Sequence, residues 1–289
     1  MTEPEKGHLF QAAEAIYAAD ALLITAGAGM GVDSGLPDFR GDQGFWKAYP
    51  AIARLGLSFA EMANPTWFES DPHLAWAFYG HRLNLYRGTA PHGGFAQLLA
   101  WGENKPNHCF VFTSNVDGQF QKAGFDPERI VECHGSIHHF QCANNCADSI
   151  WVADDETIVV DESTFRAREP LPRCRQCGGM ARPNILMFGD FAWNAKRSEA
   201  QHLCFARWIQ GLVKASATLA VIELGAGTAI STVRHTSEGL VHRLHGRLIR
   251  LNPREPEAPP GQFGLALGAL AGIRQLNDAL SGMSARVTR

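Results

Sequence analysis

The chain has 289 residues, enough for a sizeable core and for one large domain or a large domain with a smaller partner. Hydrophobic residues make up 45% and charged residues 19%, the balance of an ordinary globular protein. The net charge of -3 gives no reason to expect nucleic-acid or anionic-membrane binding, because both favour a basic surface. Residues 12–32 contain two acids and many glycines and predict no membrane span, and residues 1–8 lack the apolar core of a secretory signal. We therefore expect a cytoplasmic protein.

The first predicted elements are a helix over residues 9–19 and a buried strand over residues 21–25. The strand opens into Gly27-Ala28-Gly29. A strand, a glycine-rich turn and a helix in that order are typical of the start of a dinucleotide-binding βαβ unit. Further short apolar runs predict buried strands at residues 109–113, 218–224 and 247–251. Each run is followed by polar or turn residues, as in parallel strands whose carboxyl ends carry a site.

Two stretches interrupt this alternation. Residues 42–87 predict several helices with aromatic faces, one of which begins at Asp71-Pro72 and runs to Tyr86. Residues 139–182 contain two cysteine pairs around a β-rich, acidic piece. We expect both stretches to pack together beside the sheet.

The cysteine pairs are Cys142 with Cys146 and Cys174 with Cys177. In an intracellular chain this spacing predicts a metal site rather than a disulfide framework. Four thiolates close a tetrahedral shell around zinc and leave no position for a substrate water, so the expected role is structural. Four free buried cysteines are the alternative, and the three-residue spacer of the first pair leaves a degenerate site open.

The predicted fold class is therefore α/β, a Rossmann-like parallel sheet with a smaller inserted helical and zinc-binding domain. The Rossmann-like domain is predicted to comprise residues 1–41, 88–138 and 183–289. The small domain is predicted to comprise a helical module, residues 42–87, and a zinc module, residues 139–182. Residues 253–261 predict a proline-rich surface loop.

The glycine-rich motif continues through residue 40 as Gly-Ala-Gly-Met-Gly-Val-Asp-Ser-Gly-Leu-Pro-Asp-Phe-Arg. Its glycines let the backbone approach a pyrophosphate, whose charge a following helix N-terminus also favours. A tight turn after the strand would explain the glycines alone. The remainder, Ser-Gly-Leu-Pro-Asp-Phe-Arg, is much more specific, and it resembles the signature of the sirtuin family.

Two further motifs stand in the order of that family. Residues 113–117, Thr-Ser-Asn-Val-Asp, resemble its Thr-Gln-Asn-Ile-Asp segment, with Ser114 in place of the glutamine. In isolation they would be interpreted as a capped turn. His134-Gly135 resembles the catalytic His-Gly of sirtuins. A lone histidine is more often structural, but an imidazole titrates near neutral pH and can accept a proton from a hydroxyl.

Later segments extend the resemblance. Residues 182–190 resemble the Arg-Pro…Phe-Gly-Glu segment, which implies a strand that pairs with the substrate peptide by strand addition, with contacts from Ile185, Phe188 and Gly189. Gly225-Ala226-Gly227 stands where sirtuins carry Gly-Thr-Ser, and Asn252 where they carry an asparagine at the adenosine ribose. A glycine at a strand end and an asparagine in a turn are the plain alternatives.

The resemblance, from about residue 21 to residue 252, implies an NAD-dependent protein-lysine deacylase that consumes NAD as a co-substrate and acts on acyl-lysine proteins. It implies that His134 accepts a proton from a ribose hydroxyl, while Asn115 orients the ribose or a water and Asp117 the carboxamide. Phe39 and Arg40 would close over the cofactor, with Trp46 in the same mobile loop. The residues predicted to bind the cofactor are Gly27, Ala28, Gly29, Asp38, Phe39, Arg40, Trp46, Ser114, Asn115, Val116, Asp117, Gly225, Ala226, Gly227 and Asn252.

This chain departs from the family at several of these positions. Gly31 replaces a usual serine, Phe120 a usual histidine, and Gly225-Ala226-Gly227 lacks two hydroxyls. Each lost hydrogen bond would weaken cofactor binding by about 1 kcal/mol. Asn115, Asp117 and His134 are unchanged.

Tyr79 and Arg82 are the residues expected to determine which acyl group is removed. Three positions apart on the helix that starts at Asp71-Pro72, they share a face. A core tyrosine and a surface arginine would be the ordinary interpretation. The surrounding segment resembles the sirtuins that remove malonyl, succinyl and glutaryl groups, in which such a pair binds the distal carboxylate of the acyl chain. The resemblance therefore implies a preference for acidic acyl-lysines.

NAD glycohydrolysis or ADP-ribosyl transfer at the same site is the alternative activity. A non-catalytic NAD sensor is disfavoured by Asn115, Asp117 and His134, and an ordinary Rossmann dehydrogenase by the Gly-Leu-Pro-Asp-Phe-Arg segment. The sequence predicts no particular oligomeric state.

Overall fold

A computed structural model describes residues 3–38 and 41–287. The strands in chain order are β1 (Ala21–Ala26), β2 (Cys109–Thr113), β3 (Ile130–Glu132), β4 (Gly135–Cys142), β5 (Ile150–Val152), β6 (Val160–Asp161), β7 (Arg166–Ala167), β8 (Ala181–Ile185), β9 (Leu219–Leu224), β10 (Arg247–Leu251) and β11 (Phe263–Leu265). The helices are α1 (Glu3–Ala18), α2 (Gly41–Ala48), α3 (Pro50–Arg54), α4 (Phe59–Met62), α5 (Trp67–Ser70), α6 (Pro72–Gly88), α7 (Gly93–Glu103), α8 (Gln119–Lys122), α9 (Lys196–Ala215), α10 (Thr232–Leu244) and α11 (Ala269–Val287).

A six-stranded parallel sheet forms the centre, in the order β11-β10-β9-β1-β2-β3. Side chains alternate across β1, as strand geometry requires. Leu22 and Ile24 pack in a core with α1, α7 and α11, whereas Leu23 packs in a second core with α9 and α10. Both faces of the sheet are therefore covered, and the predicted Rossmann-like α/β architecture is confirmed.

The position of β1 in this sheet determines where a ligand can bind. Its neighbours are β2 on one side and β9 on the other, so the strand order reverses at β1. Ligands of open α/β sheets bind outside the carboxyl ends of the strands at such a switch point. The chain leaves β1 at Gly27, β2 at Ser114 and β9 at Gly225, which brings three of the predicted motifs to one edge of the sheet.

A third core joins the two inserted stretches. It contains Phe45 of α2 and Trp76 of α6 together with Phe140 of β4 and Ile185 of β8. Strands β5, β4 and β8 form an antiparallel sheet, and β6 pairs with β7. The predicted domain boundaries stay a prediction, and β4 and β8 each extend across one of them.

The prediction of a helix directly after the glycine-rich turn is wrong. Residues Ala28–Met30 and Val32–Ser34 form two short 3-10 turns instead, and the second ends at Gly35 with a φ of 88°. Glycine is a poor helix former, and closely spaced glycines favour turns here. The prediction for α6 is confirmed: its N-cap is Asp71, whose side chain accepts a hydrogen bond from the Leu74 amide at 3.2 Å. Within the described residues, no helix is long and apolar enough to cross a membrane.

Candidate active site

A cavity of about 600 Å³ lies at the carboxyl edge of the parallel sheet. Its volume is in the range of small-molecule and cofactor sites. Its lining includes, of the predicted site residues, Gly27, Ala28, Asp38, Tyr79, Arg82, Ser114, Asn115, Val116, Asp117, His134, Ile185, Phe188, Gly225, Ala226 and Gly227. The structure thus brings most of the predicted cofactor, catalytic and substrate residues to one cavity.

Two glycine loops meet at this cavity, backbone against backbone. A Cβ atom at Gly27 would lie 2.8 Å from the Cα of Ala226 and from the carbonyl oxygen of Gly225. Gly225 has a φ of 59°, and a Cβ there would lie 2.4 Å from the Cα of Gly29. Both positions therefore require glycine, and the close approach of the loops leaves a wall of backbone and alanine methyl groups beside the cavity.

The segment after β2 is fixed to the first loop by hydrogen bonds. The Ser114 amide donates to the carbonyl of Ala26 at 3.1 Å. The Asn115 amide donates to the Thr113 hydroxyl at 3.0 Å, and the Asn115 side-chain nitrogen donates to the carbonyl of Gly27 at 3.0 Å. Because its nitrogen is committed to the backbone, the side-chain amide of Asn115 has a fixed orientation at the cavity wall.

Asp117 is 9% exposed, at the inner end of the same segment. One carboxylate oxygen accepts a hydrogen bond from the Gln119 amide at 2.9 Å, and its carbonyl interacts with Nε2 of His138 at 2.9 Å. Burial raises the pKa of the Asp117 carboxyl to about 6, against the lowering effect of the bond from Gln119. An acid with this pKa is mostly ionised at pH 7 and can accept hydrogen bonds from a ligand amide.

His134 lies two residues after the end of β3 and lines the cavity. Burial lowers the pKa of its imidazole, whereas a hydrogen bond with the Ser114 backbone raises it to a smaller extent. The imidazole is therefore neutral at pH 7 and able to accept a proton. Its own carbonyl accepts a hydrogen bond from the Leu186 amide at 3.0 Å, which ties His134 to the segment after β8.

That segment is held by a buried ion pair. Arg182 contacts both carboxylate oxygens of Asp190, and neither side chain is more than 1% exposed. The Phe188 amide donates to the carbonyl of Ala63 at 2.9 Å, which joins the segment to the helical module. Phe188 itself is 40% exposed. The ion pair thus holds this segment along the cavity, while the apolar side chain of Phe188 stays accessible.

Tyr79 and Arg82 lie on one face of α6, as their spacing predicts. They are 1% and 6% exposed, so the arginine is not a surface residue. The guanidinium carbon lies 5.7 Å from the centre of the Tyr79 ring. In the described part of the chain, the Tyr79 hydroxyl has no hydrogen-bond partner. A buried cation and a phenol without an acceptor, side by side in a cavity wall, suit an anionic group.

The four paired cysteines converge at a separate place, beyond the end of β4. Their sulfur atoms all lie within 4.8 Å of one another. The Cys142–Cys177 and Cys146–Cys174 sulfur distances are 3.8 Å and 3.5 Å. Zinc–sulfur bonds of about 2.3 Å in a tetrahedron place sulfurs about 3.8 Å apart. The four cysteines are therefore positioned to bind a structural zinc ion, and the three-residue spacer does not prevent it.

Comparison with known proteins settles the family. The model of the Sir2 family matches residues 27–207, which is more than half of the chain. The chain belongs to the Sir2 family. An NAD-dependent protein deacylase of Thermococcus kodakarensis is 32% identical over 185 residues, covering 63% of this chain and 65% of that protein.

A probable bifunctional ADP-ribose hydrolase/ADP-ribosyltransferase of Fusarium oxysporum f. sp. cubense is 29% identical over 265 residues, 88% of this chain but only 43% of that protein. A solved complex of a Sir2 homolog with NAD has a TM-score of 0.69 at 22% identity and covers 94% of both chains. At that identity the likeness establishes a shared fold.

Some predicted residues of this Sir2 chain lie outside the cavity lining. The Gly29 amide donates to Gly225 at 3.1 Å, and the Trp46 indole, in α2, donates to the Leu57 carbonyl at 2.7 Å. Asn252 is fully buried, and its side-chain nitrogen donates to Ala226 at 2.8 Å. Gly189 lies just beyond the lining. Phe39 and Arg40 lie outside the described residues. Cofactor and substrate roles for these residues stay predictions.

The cavity also contains residues that sequence reasoning missed. Tyr86 lies one helical turn after Arg82, and its hydroxyl accepts a hydrogen bond from Nε of Arg82 at 3.1 Å. Glu255 lies in the proline-rich loop and accepts a hydrogen bond from the Thr228 hydroxyl at 2.6 Å. The four-residue spacing from Arg82 could have identified Tyr86. No comparable pattern marks Glu255.

Proposed function

We propose that this Sir2 protein is an NAD-dependent protein-lysine deacylase with a preference for acidic acyl groups. One observation carries the proposal: a single cavity is lined by the glycine loops, the Asn115–Asp117 segment, His134 and the Tyr79–Arg82 pair. A dinucleotide site, a base and an anion-binding pair are the parts that such a reaction needs.

The glycine loops are suited to hold NAD. The contact between Gly27 and the Gly225–Ala226 turn leaves bare backbone at the sheet edge, where a pyrophosphate can approach closely. The ordered amide of Asn115 is suited to orient a ribose, and Asp117 to accept hydrogen bonds from the carboxamide. When bound, NAD supplies the ribose carbon that takes up the acyl oxygen as nicotinamide leaves.

His134 is proposed as the general base. Its burial keeps the imidazole neutral at physiological pH, so it can take a proton from a ribose hydroxyl without first losing one. The Ser114 backbone also acts on the imidazole, next to the Asn115–Asp117 segment. The base and the groups proposed to orient the ribose therefore lie side by side in the cavity lining.

The acyl-lysine peptide is proposed to lie along residues 185–189. This segment continues from the edge strand β8, and Ile185 and Phe188 line the cavity. An added strand would gain main-chain hydrogen bonds, and its lysine side chain would point into the cavity. The acyl end would then approach the Tyr79–Arg82 pair, where an acidic acyl chain finds a buried cation.

A panel of peptides tests the proposal. Acetyl-, malonyl-, succinyl- and glutaryl-lysine versions of one peptide are incubated with NAD, and the deacylated product is measured by mass spectrometry. We expect faster removal of the acidic groups. Arg82→Met should reduce desuccinylation about tenfold or more, since a hydrogen bond to a charged group is worth about 1.5–3 kcal/mol. Deacetylation should be unchanged or improved. A wild type that prefers acetyl-lysine, or an equal loss of both activities, would contradict the acyl preference.

ADP-ribosyl transfer is the second candidate, and the Fusarium relative favours it because the alignment covers 88% of this chain. The same NAD site would serve that reaction. The protein incubated with NAD in the absence of acylated peptide separates the two activities. Nicotinamide release together with protein-bound ADP-ribose supports transfer, whereas release that depends on an acyl-lysine peptide supports deacylation.

A further inference from the structure

We propose that Tyr86 is a third group of the acyl-carboxylate site and that its hydroxyl donates a hydrogen bond directly to the distal carboxylate of the substrate. This inference rests on the proposed deacylase function and adds a specificity-determining residue to it. Tyr86 is 4% exposed and lines the same cavity as Tyr79 and Arg82.

The spacing of the three residues places them on one helical face. Tyr79, Arg82 and Tyr86 stand at positions i, i+3 and i+7 of α6, which are two turns of a helix. The guanidinium carbon of Arg82 lies 5.7 Å from the Tyr79 ring centre and 5.5 Å from that of Tyr86. The arginine is therefore held between two aromatic rings, which limits the directions in which its donors can point.

The direction of one hydrogen bond determines whether the Tyr86 hydroxyl can donate to a ligand. A guanidinium has donors only, so in the 3.1 Å contact with Nε of Arg82 the Tyr86 oxygen must be the acceptor. The phenol proton is then directed elsewhere. In the described part of the chain, no oxygen accepts a hydrogen bond from Tyr86, and the Tyr79 hydroxyl also lacks a partner.

Two phenol donors thus flank a buried cation. Burial raises the pKa of the Tyr86 hydroxyl, against the opposing effect of Arg82, so the phenol keeps its proton. A carboxylate can accept several hydrogen bonds, and those from a hydroxyl to a charged oxygen are short and strong. An acetyl group has no anionic end and would gain nothing from this third donor.

Tyr86→Phe tests the inference, because it removes the hydroxyl and keeps the ring beside Arg82. We expect kcat/KM for a succinyl-lysine peptide to fall about tenfold, mainly through KM, with deacetylation within about twofold of wild type. The control is Tyr17→Phe. It makes the same chemical change on α1, where Tyr17 is 47% exposed and lies outside the cavity lining. This control should leave both activities unchanged. Thermal unfolding checks that each variant is folded, and Tyr86→Met serves as a second variant.

The outcomes separate this inference from the proposed function. If the wild type prefers succinyl-lysine and Tyr86→Phe retains that preference, Tyr86 does not bind the carboxylate and only this inference is overturned. If Tyr86→Phe lowers desuccinylation and deacetylation equally, Tyr86 is a structural residue and the inference also fails. If the wild type prefers acetyl-lysine, the proposed acyl preference and this inference fail together.

Discussion

The side-chain amide of Asn115 donates a hydrogen bond to the carbonyl oxygen of Gly27 over 3.0 Å. Eighty-eight residues separate the two in the chain, yet the bond joins the end of β2 to the glycine loop after β1. It couples the segment proposed to orient the ribose with the loop proposed to hold the pyrophosphate. A change at Asn115 should therefore affect NAD binding as well as the chemical step.

Asn115→Asp is expected to lower both stability and cofactor affinity. The new carboxylate has no donor and would face the Gly27 carbonyl, so the free energy of unfolding should fall by about 1–3 kcal/mol and KM for NAD should rise about tenfold. Urea unfolding and steady-state kinetics measure the two effects. Asn84→Asp is the matched control, because the Asn84 side chain donates an equivalent bond to Ile158 at 2.9 Å away from the cavity. An unchanged KM for NAD in Asn115→Asp would show that the link has no role in binding.

His134→Ala is expected to abolish deacylation while leaving NAD binding largely intact, since the imidazole is proposed to move a proton rather than to hold the cofactor. Calorimetric titration with NAD and a deacylation assay separate the two properties. The wild-type rate should fall to half of its maximum below pH 6.5, because burial lowers the pKa of His134 from its ordinary value of 6.5. Substantial deacylation by a folded His134→Ala protein would exclude the base role.

The sequence could predict that the proposed cofactor residues after β1, β2 and β9 would meet, because parallel strands bring their carboxyl ends to one edge of the sheet. Gly27, Ser114 and Gly225 each follow such a strand, and each lines the cavity. The segment after the first glycine loop could not be predicted as well. Glycine has a low helix propensity, and this segment contains several glycines. Two 3-10 turns therefore form in place of the expected helix.

Residues without a side chain in the cavity lining are the hardest to interpret from sequence. The resemblance places Asn252 at the adenosine ribose, which stays a prediction; in the structure its buried side chain donates a hydrogen bond to the carbonyl of Ala226, in a loop of the cavity. Tyr86 and Glu255 line the cavity although neither belongs to a motif. A motif records residue types in order, whereas cavity lining depends on how α6 and the proline-rich loop pack. The predicted cytoplasmic location and the absence of nucleic-acid partners stay predictions.

Cys174→Ser or Cys177→Ser is expected to release zinc and to lower the melting temperature, because a closed thiolate shell couples metal binding to folding. Atomic emission should show about one zinc per wild-type chain and well under one in the variants. Cys204→Ser, outside the cluster, is the control and should keep both metal and stability. A Cys174→Ser protein without metal that retains the wild-type melting temperature would show that the site does not stabilise the fold.

Asp117→Asn is expected to stabilise the protein while impairing its activity. Burial raises the pKa of Asp117 from 3.8 to about 6, so the folded state holds the proton more tightly than the unfolded state. Stability is therefore lost as pH rises from 3.8 to about 6, and above that range the ionised group costs on the order of 2–3 kcal/mol. Asparagine removes this cost and can still accept the Gln119 hydrogen bond.

Urea unfolding at several pH values checks this expectation. Asp117→Asn should gain about 2 kcal/mol at pH 7.5, and the gain should shrink steadily toward pH 4. The control is Asp126→Asn, since exposed Asp126 accepts the same type of bond from the Glu128 amide at 2.9 Å and should give no such gain. NAD-dependent turnover by Asp117→Asn should fall at pH 7.5, because a neutral amide accepts the carboxamide hydrogen bonds more weakly than a carboxylate. A variant that is more stable yet equally active would mean that the buried charge of Asp117 serves no step of the reaction.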